Sequence, residues 1–194
     1  MKTTAVRSAA HLFAACCLSL LLSLPAAANV RISGIDFAPA VTIGEAELPL
    51  RGGGLFRYAV VFRVYAGALY APPAIAGEDI LSADVPKRLE LHYLLDISAD
   101  DFRKSGLAFL EKQQSPGDLA ALADRLEAFN AAYRDVSEGD RYALEYHPET
   151  GTRLLKNGEE LVRVPGLDFA QAYFGIWLDP QQPLSSSFRD DLLA

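Results

Sequence analysis

The sequence predicts an α+β protein, a large and mostly antiparallel sheet covered on one face by helices. Three observations predict it. Strand-like segments come first, two helical segments follow, and hairpins with a last apolar helix close the chain. No strand–helix–strand unit recurs in series, as a parallel sheet would need. Hydrophobic residues make up 51% of the 194, enough for a sizeable core and too many for a disordered chain.

The first segment reads as an address. Lys2 and Arg7 precede an apolar run, His11 to Leu24, that is short for a membrane span. The run ends in Leu24-Pro25-Ala26-Ala27-Ala28, with the small residues that signal peptidase reads. Residues 1–28 are therefore expected to be a signal peptide and 29–194 one domain, exported to a bacterial periplasm. A lipoprotein signal at Cys16 does not fit, because much of the apolar run would follow it. The two cysteines, Cys16 and Cys17, are adjacent, which excludes a disulfide framework and a cysteine metal site. Residues 1–28 hold two of the 18 basic residues and none of the 25 acidic ones, so the remainder carries −9. That balance argues against nucleic acid as a partner. No later segment has 18 consecutive apolar residues, so no stable membrane span is expected after cleavage.

Val30 to Ser33 and Val41 to Leu48 read as opening strands. Tyr58 to Tyr70 is rich in Val, Phe and Tyr and reads as one long strand, with a bulge at Gly67. From Arg88 to Leu95 the pattern alternates, with Leu89, Leu91 and Tyr93 on one face. Ser98, three residues before Asp101, can cap a helix from Ala99 to about Lys112. Ser115-Pro116 opens a second helix, with proline at its first position. Its stripe is Leu119, Leu122, Leu126, Phe129 and Tyr133. Strands return at Tyr142–Tyr146, Arg153–Lys156 and Glu160–Val164, the last two joined by an Asn157-Gly158 turn. Asp168 is expected to cap a buried helix, Phe169 to Leu178, and a short helix covers about Ser187 to Leu193.

Few residues suggest chemistry. There is no nucleophile elbow, HExxH or P-loop. Gly52-Gly53-Gly54 lacks a following Lys-Ser/Thr and helix, and reads as a turn before a strand. His92 and His147 are isolated, so neither a metal nor a cofactor is expected. Arg57 stands out at the head of a very apolar strand, where its guanidinium must be hydrated or paired. Spacing leaves two readings open. One is a rim arginine in a salt bridge. In the other, a bulge at Gly67 turns Tyr70 onto the face of Arg57, and the two grip an anionic head group.

Longer segments carry a resemblance. Leu50-Arg51-Gly52-Gly53-Gly54-Leu55-Phe56-Arg57-Tyr58 with Phe62-Arg63-Val64-Tyr65-Ala66-Gly67-Ala68-Leu69-Tyr70 resembles the signature of the chalcone isomerase-like family. Leu91-His92-Tyr93 with Ser98 to Phe102, Gly139 to Tyr146 with Gly151-Thr152 and Asn157-Gly158, and Phe169 to Leu178 with Asp191-Leu192-Leu193 resemble its exported bacterial members. The resemblance implies the family's open-faced sandwich, with a ligand cleft between sheet and helices.

It also implies two functions. Some members cyclise chalcones, using an arginine and a tyrosine; others bind fatty acids, with both residue types at the carboxylate. Arg57 matches the family arginine. The plant motif Thr-Gly-x-x-Tyr falls on Ser98-Ala99-Asp100-Asp101-Phe102, so phenylalanine replaces the catalytic tyrosine, and Ser105 and Phe109 replace a lysine and an asparagine. A phenylalanine cannot donate to a developing charge, a loss of on the order of a hundredfold in rate. The expectation is therefore a non-catalytic protein that binds a small apolar anion such as a fatty acid. Arg57 and Tyr70 would lie at the head group, with Phe62, Phe102, Phe109 and Trp177 along the chain. The alternatives are an intramolecular lyase or isomerase using Arg57 with Tyr65 or Tyr93 as acid, and an interaction module with a vestigial cleft.

Overall fold

A computed structural model describes residues 28–194. The predicted signal peptide, all but Ala28, lies outside them. Strands β1 (Val30–Ile32) and β2 (Ile35–Phe37) form a separate hairpin. The main sheet has seven antiparallel strands in chain order: β3 (Ala40–Ile43), β4 (Ala46–Tyr58), β5 (Phe62–Tyr70), β6 (Lys87–Tyr93), β7 (Arg141–His147), β8 (Gly151–Lys156) and β9 (Glu159–Val164). Helices α1 (Ala99–Gln113) and α2 (Pro116–Ala131) lie between β6 and β7, and α3 (Leu167–Leu178) and α4 (Ser186–Leu193) follow β9. All four helices contribute buried residues to one core on one side of the sheet, where Leu110, Phe129, Phe174 and Phe188 are at most 1% exposed.

The predicted helix starts form for the reasons the sequence suggests. The Ser98 hydroxyl accepts from the amide of Asp101, and that of Ser115 accepts from Asp118, each satisfying a first-turn donor. Asn157 and Gly158 both adopt positive φ at the β8–β9 turn. Asp168, however, does not cap α3. Gly166 stands at the cap with φ 103°, and Asp168 lies inside the first turn, where its carboxylate takes two hydrogen bonds from Arg125.

The opening strands differ from expectation. The segment 41–48 is a hairpin that turns at Gly44 rather than one strand. Tyr58–Tyr70 is likewise divided. The chain reverses through residues 59–61, with Ala59 at φ 48° and Val60 at φ 68°. Gly52-Gly53-Gly54 is not a turn but the middle of the 13-residue β4. Its reason is α4. A Cβ at Gly52 would lie 2.4 Å from the Asp191 carbonyl oxygen, and one at Gly67 on β5 would meet the Phe188 ring at 2.6 Å. Gly67 is not bulged either; it pairs in register with Gly54 and Leu91. The irregularities fall at Arg51 and Val64, the unpaired residues between Leu50 and Gly52 and between Arg63 and Tyr65.

The two faces of the sheet are built differently. On the face away from the helices, Ala66, Ala68 and Tyr70 of β5 pack with Ile32 and Phe37 of the small hairpin. Farther along that face, register aligns Arg88, Glu145 and Arg153 across β6, β7 and β8. Glu145, nearly buried, bridges both arginines, and Glu90 pairs with Arg88 and Arg141.

Lys87 is fully buried. Its Nζ donates to the carbonyls of Ile80 (2.7 Å), Leu81 (3.2 Å) and Ala83 (2.8 Å), so all three protons are used. Burial still lowers its pKa from 10.5 to about 8, against a raising influence from Asp84. Between those values the unfolded chain binds more protons than the native one, so stability rises with pH there. The buried tyrosines act oppositely above about pH 10, where only the unfolded phenols ionise. Unfolding free energy should therefore climb from pH 8 towards 10, by up to about 1 kcal/mol per pH unit. Urea titrations should show Lys87→Met flattening that rise. An unchanged slope in the variant would remove Lys87 as its source.

Candidate functional site

Between the sheet and the helices lies a cavity of about 460 Å³, within the size range of small-molecule sites. Strand alternation supplies its floor. Leu89, Leu91 and Tyr93 share the helix-facing side of β6, as the sequence pattern predicts, and Tyr142 and Leu144 of β7 continue it. Phe102, Ser105 and Phe109 of α1 and Tyr173, Ile176 and Trp177 of α3 form the roof. The lining residues exposed to solvent are Tyr58, Asp101, Lys104 and Ser105, which mark a mouth between the β4–β5 hairpin and α1.

Phenols dominate the polar chemistry. The Tyr133 and Tyr173 hydroxyls meet at 2.9 Å. Tyr142 donates to the Arg134 carbonyl at 2.8 Å and accepts from its amide at 2.9 Å. Trp177 Nε1 donates to the Tyr65 oxygen at 3.0 Å, which leaves the Tyr65 proton free to donate. The Tyr93 ring stands edge-on to Tyr65, with centroids 5.6 Å apart. Burial raises the pKa of Tyr65 well above 10, opposed by the Trp177 bond. Tyr93 is also raised, by burial first and then by Tyr65, Tyr133 and Tyr142. At neutral pH these groups are protonated donors and not bases. Asp101, the carboxylate in the lining, is exposed at the mouth. The site can therefore hold an apolar body and donate hydrogen bonds to an oxygen-bearing end.

Of the six residues predicted to bind ligand, the structure brings three together. Phe102, Phe109 and Trp177 line the cavity. Phe102 stacks on Tyr133 at 5.2 Å and lies edge-on to Tyr93 and Tyr142, so neighbouring phenols surround the position where it lacks a hydroxyl. Tyr70 is elsewhere. With no bulge at Gly67, it keeps strand parity with Ala66 and Ala68 on the opposite face, fully buried, and donates to the Ala38 carbonyl at 3.0 Å. Arg57 also misses the cavity. The bulge at Val64 pairs Arg57 with Arg63, whose guanidinium reaches the Ser33 carbonyl on the β1–β2 side, at 3.2 Å. Phe62 is 59% exposed at the hairpin tip. Tyr65 and Tyr93, considered above only as alternative acids, do line the cavity. Their parity with Leu69 and Leu91 was the available signal. Among the described residues no group of three or more His, Cys, Asp or Glu is placed to hold a metal, and no helix is long and apolar enough to cross a membrane.

A family model described as chalcone isomerase-like matches residues 29–194. The chain belongs to the chalcone isomerase-like family. No curated protein matches it. Among solved structures, a fatty-acid binding protein of Arabidopsis thaliana is similar, at 16% identity and a TM-score of 0.64. The match covers 85% of this chain and 95% of that one. At that identity the likeness concerns the fold: a curled antiparallel sheet with helices on one face, the chalcone isomerase-like architecture. In this chalcone isomerase-like chain, the cavity under α1 and α3 is what that architecture encloses.

Proposed function

We propose that this chalcone isomerase-like protein is exported to the bacterial periplasm and binds, without catalysis, an apolar molecule with one acidic end, of which a fatty acid is the simplest. One observation carries the reading: an aromatic- and aliphatic-lined cavity of about 460 Å³ in which Tyr65 has an unused proton to donate. The apolar chain supplies affinity, at most about 0.8 kcal/mol per buried CH₂. It lies among Phe102, Phe109, Ile176 and Trp177. The Tyr65 hydroxyl, oriented by Trp177, holds the head group, with Tyr93 beside it. The solved fatty-acid binding protein of the same fold supports this ligand class. The interior phenols are donors and the one lining carboxylate, Asp101, is exposed at the mouth, which favours binding over proton-transfer chemistry inside.

The test is titration of delipidated protein with a twelve-carbon fatty acid and the matched alcohol. Tyr65→Phe should weaken the acid about tenfold, the worth of one hydrogen bond to a charged group, ~1.5 kcal/mol. Alcohol affinity should fall much less. Arg57→Ala should leave both unchanged. A loss in Arg57→Ala with none in Tyr65→Phe would move the head group to the hairpin and overturn this assignment.

A further inference from the structure

Among the described residues, four of the six exposed large hydrophobic side chains sit in one hairpin tip: Tyr58 (67% exposed), Val60 (83%), Val61 (72%) and Phe62 (59%). Single exposed apolar residues are ordinary; a contiguous run is not. The turn chemistry is equally unusual. Elsewhere the tight turns place Gly34, Gly44, Asn157 and Gly158 at positive φ, residues that tolerate it, with Ser33 beside Gly34. This one places Ala59 and Val60 there, and a β-branched residue is strained in that region. Folding alone would favour asparagine or glycine. At the base of the tip, Arg57 and Arg63 stand directly opposite each other, a cross-strand pairing of like charges that disfavours the hairpin.

We propose that the β4–β5 hairpin tip docks on an anionic lipid surface, with Tyr58, Val60, Val61 and Phe62 in the interfacial layer and Arg57 and Arg63 against the head groups. The charges select this occupant. Residues 29–194 carry −9, so a paired arginine collar at one end orients an otherwise repelled molecule towards an anionic sheet. A second copy would bring two such collars together, and two acidic bodies with them. A projecting tip has no groove to offer a protein partner, whereas a bilayer interface deforms around it. The position also has a use. Tyr58 belongs both to the tip and to the lining of the cavity mouth. Docking there would open the mouth onto the lipid layer, so an apolar molecule could exchange without crossing water. The docking itself does not depend on what the cavity holds.

The experiment is vesicle flotation of the protein comprising residues 29–194 at low ionic strength. Vesicles of phosphatidylcholine alone are compared with vesicles that also contain phosphatidylglycerol. The wild type should float with the phosphatidylglycerol vesicles and lose them at high salt. Arg57→Ala with Arg63→Ala should weaken binding roughly thirtyfold. Val60→Asn is the decisive variant, because asparagine relieves the turn. It should unfold at a higher temperature than wild type and yet bind vesicles several-fold less. Val61→Asp should abolish binding with its unfolding temperature unchanged. Failure of the wild type to bind phosphatidylglycerol vesicles would overturn the proposal. So would self-association that Val61→Asp abolishes while vesicles are ignored, which would assign the tip to a second copy of the chain.

Discussion

Gly52→Ala should lower the unfolding free energy by about 2–3 kcal/mol, a large effect for one added methyl group. The new Cβ would lie 2.4 Å from the Asp191 carbonyl oxygen and 2.7 Å from that of Leu192. Both are backbone atoms of the last turn of α4 and cannot swing aside as a side chain could. Helix α4 must lift, and with it Phe188 and Leu192, which are at most 1% exposed. The Phe188 ring lies edge-on to Phe56 and Tyr65, so the cavity wall would loosen too. Gly117→Ala is the matched control. There the nearest atom is Ser115 Oγ at 3.7 Å, and helix propensity should make the change neutral or slightly stabilising. Urea midpoints of the two variants would settle the matter. Equal midpoints would show that α4 does not rest on β4 as described.

The second large effect is expected at Glu145. It is 3% exposed at its side chain and bridges Arg88 on β6 and Arg153 on β8. Glu145→Ala would leave two guanidinium groups facing each other across β7 without their shared anion. Breaking a buried pair costs about 3–5 kcal/mol. The arginines are 19% and 27% exposed, so screening brings the expected loss down to about 2–3 kcal/mol. Removing all three charges together, with Arg88→Met, Glu145→Leu and Arg153→Met, should cost clearly less than Glu145→Ala alone. Chemical denaturation of both would decide it. If the single change cost under about 0.5 kcal/mol, the row would be surface decoration.

These two sites also mark where sequence reasoning succeeds and stops. The starts of α1 and α2 were legible because capping is local: Ser98 and Ser115 each lie three residues from the amide they satisfy. The β8–β9 turn was legible through Asn157-Gly158, and the helix-facing side of β6 through strict alternation. The glycines of β4 were not, because Gly52 and Gly54 make room for α4, which arrives from the far end of the chain, and Gly53 makes room for Ile32 of β1. Asp168 reads as a cap until Arg125, 43 residues away, claims its carboxylate. The turn at residues 59–61 was hidden because Ala59 and Val60 carry no turn signal.

For the cavity, Phe102, Phe109 and Trp177 were found because large aromatics on amphipathic helices face the core. Tyr70 and Arg57 were misplaced by a single residue of parity. The bulge expected at Gly67 lies at Val64, and a one-residue shift exchanges the two faces of a strand. Tyr65, not Tyr70, therefore faces the helices.

The strand order has a consequence for how the molecule is made. In the main sheet every strand pairs with the one before it in the chain, so the sheet can be laid down in the order of synthesis, with the β6–β7 pairing alone closing across two helices. The cavity cannot. Trp177, which orients the Tyr65 hydroxyl, and Leu184, which completes the lining, come after all nine strands, and α4 must then return to the glycines of β4. Until that last closure Tyr65 lacks the Trp177 donor that orients it. The cavity is thus assembled after its own foundation, and a nascent chain carries a finished sheet before the chamber above it is closed.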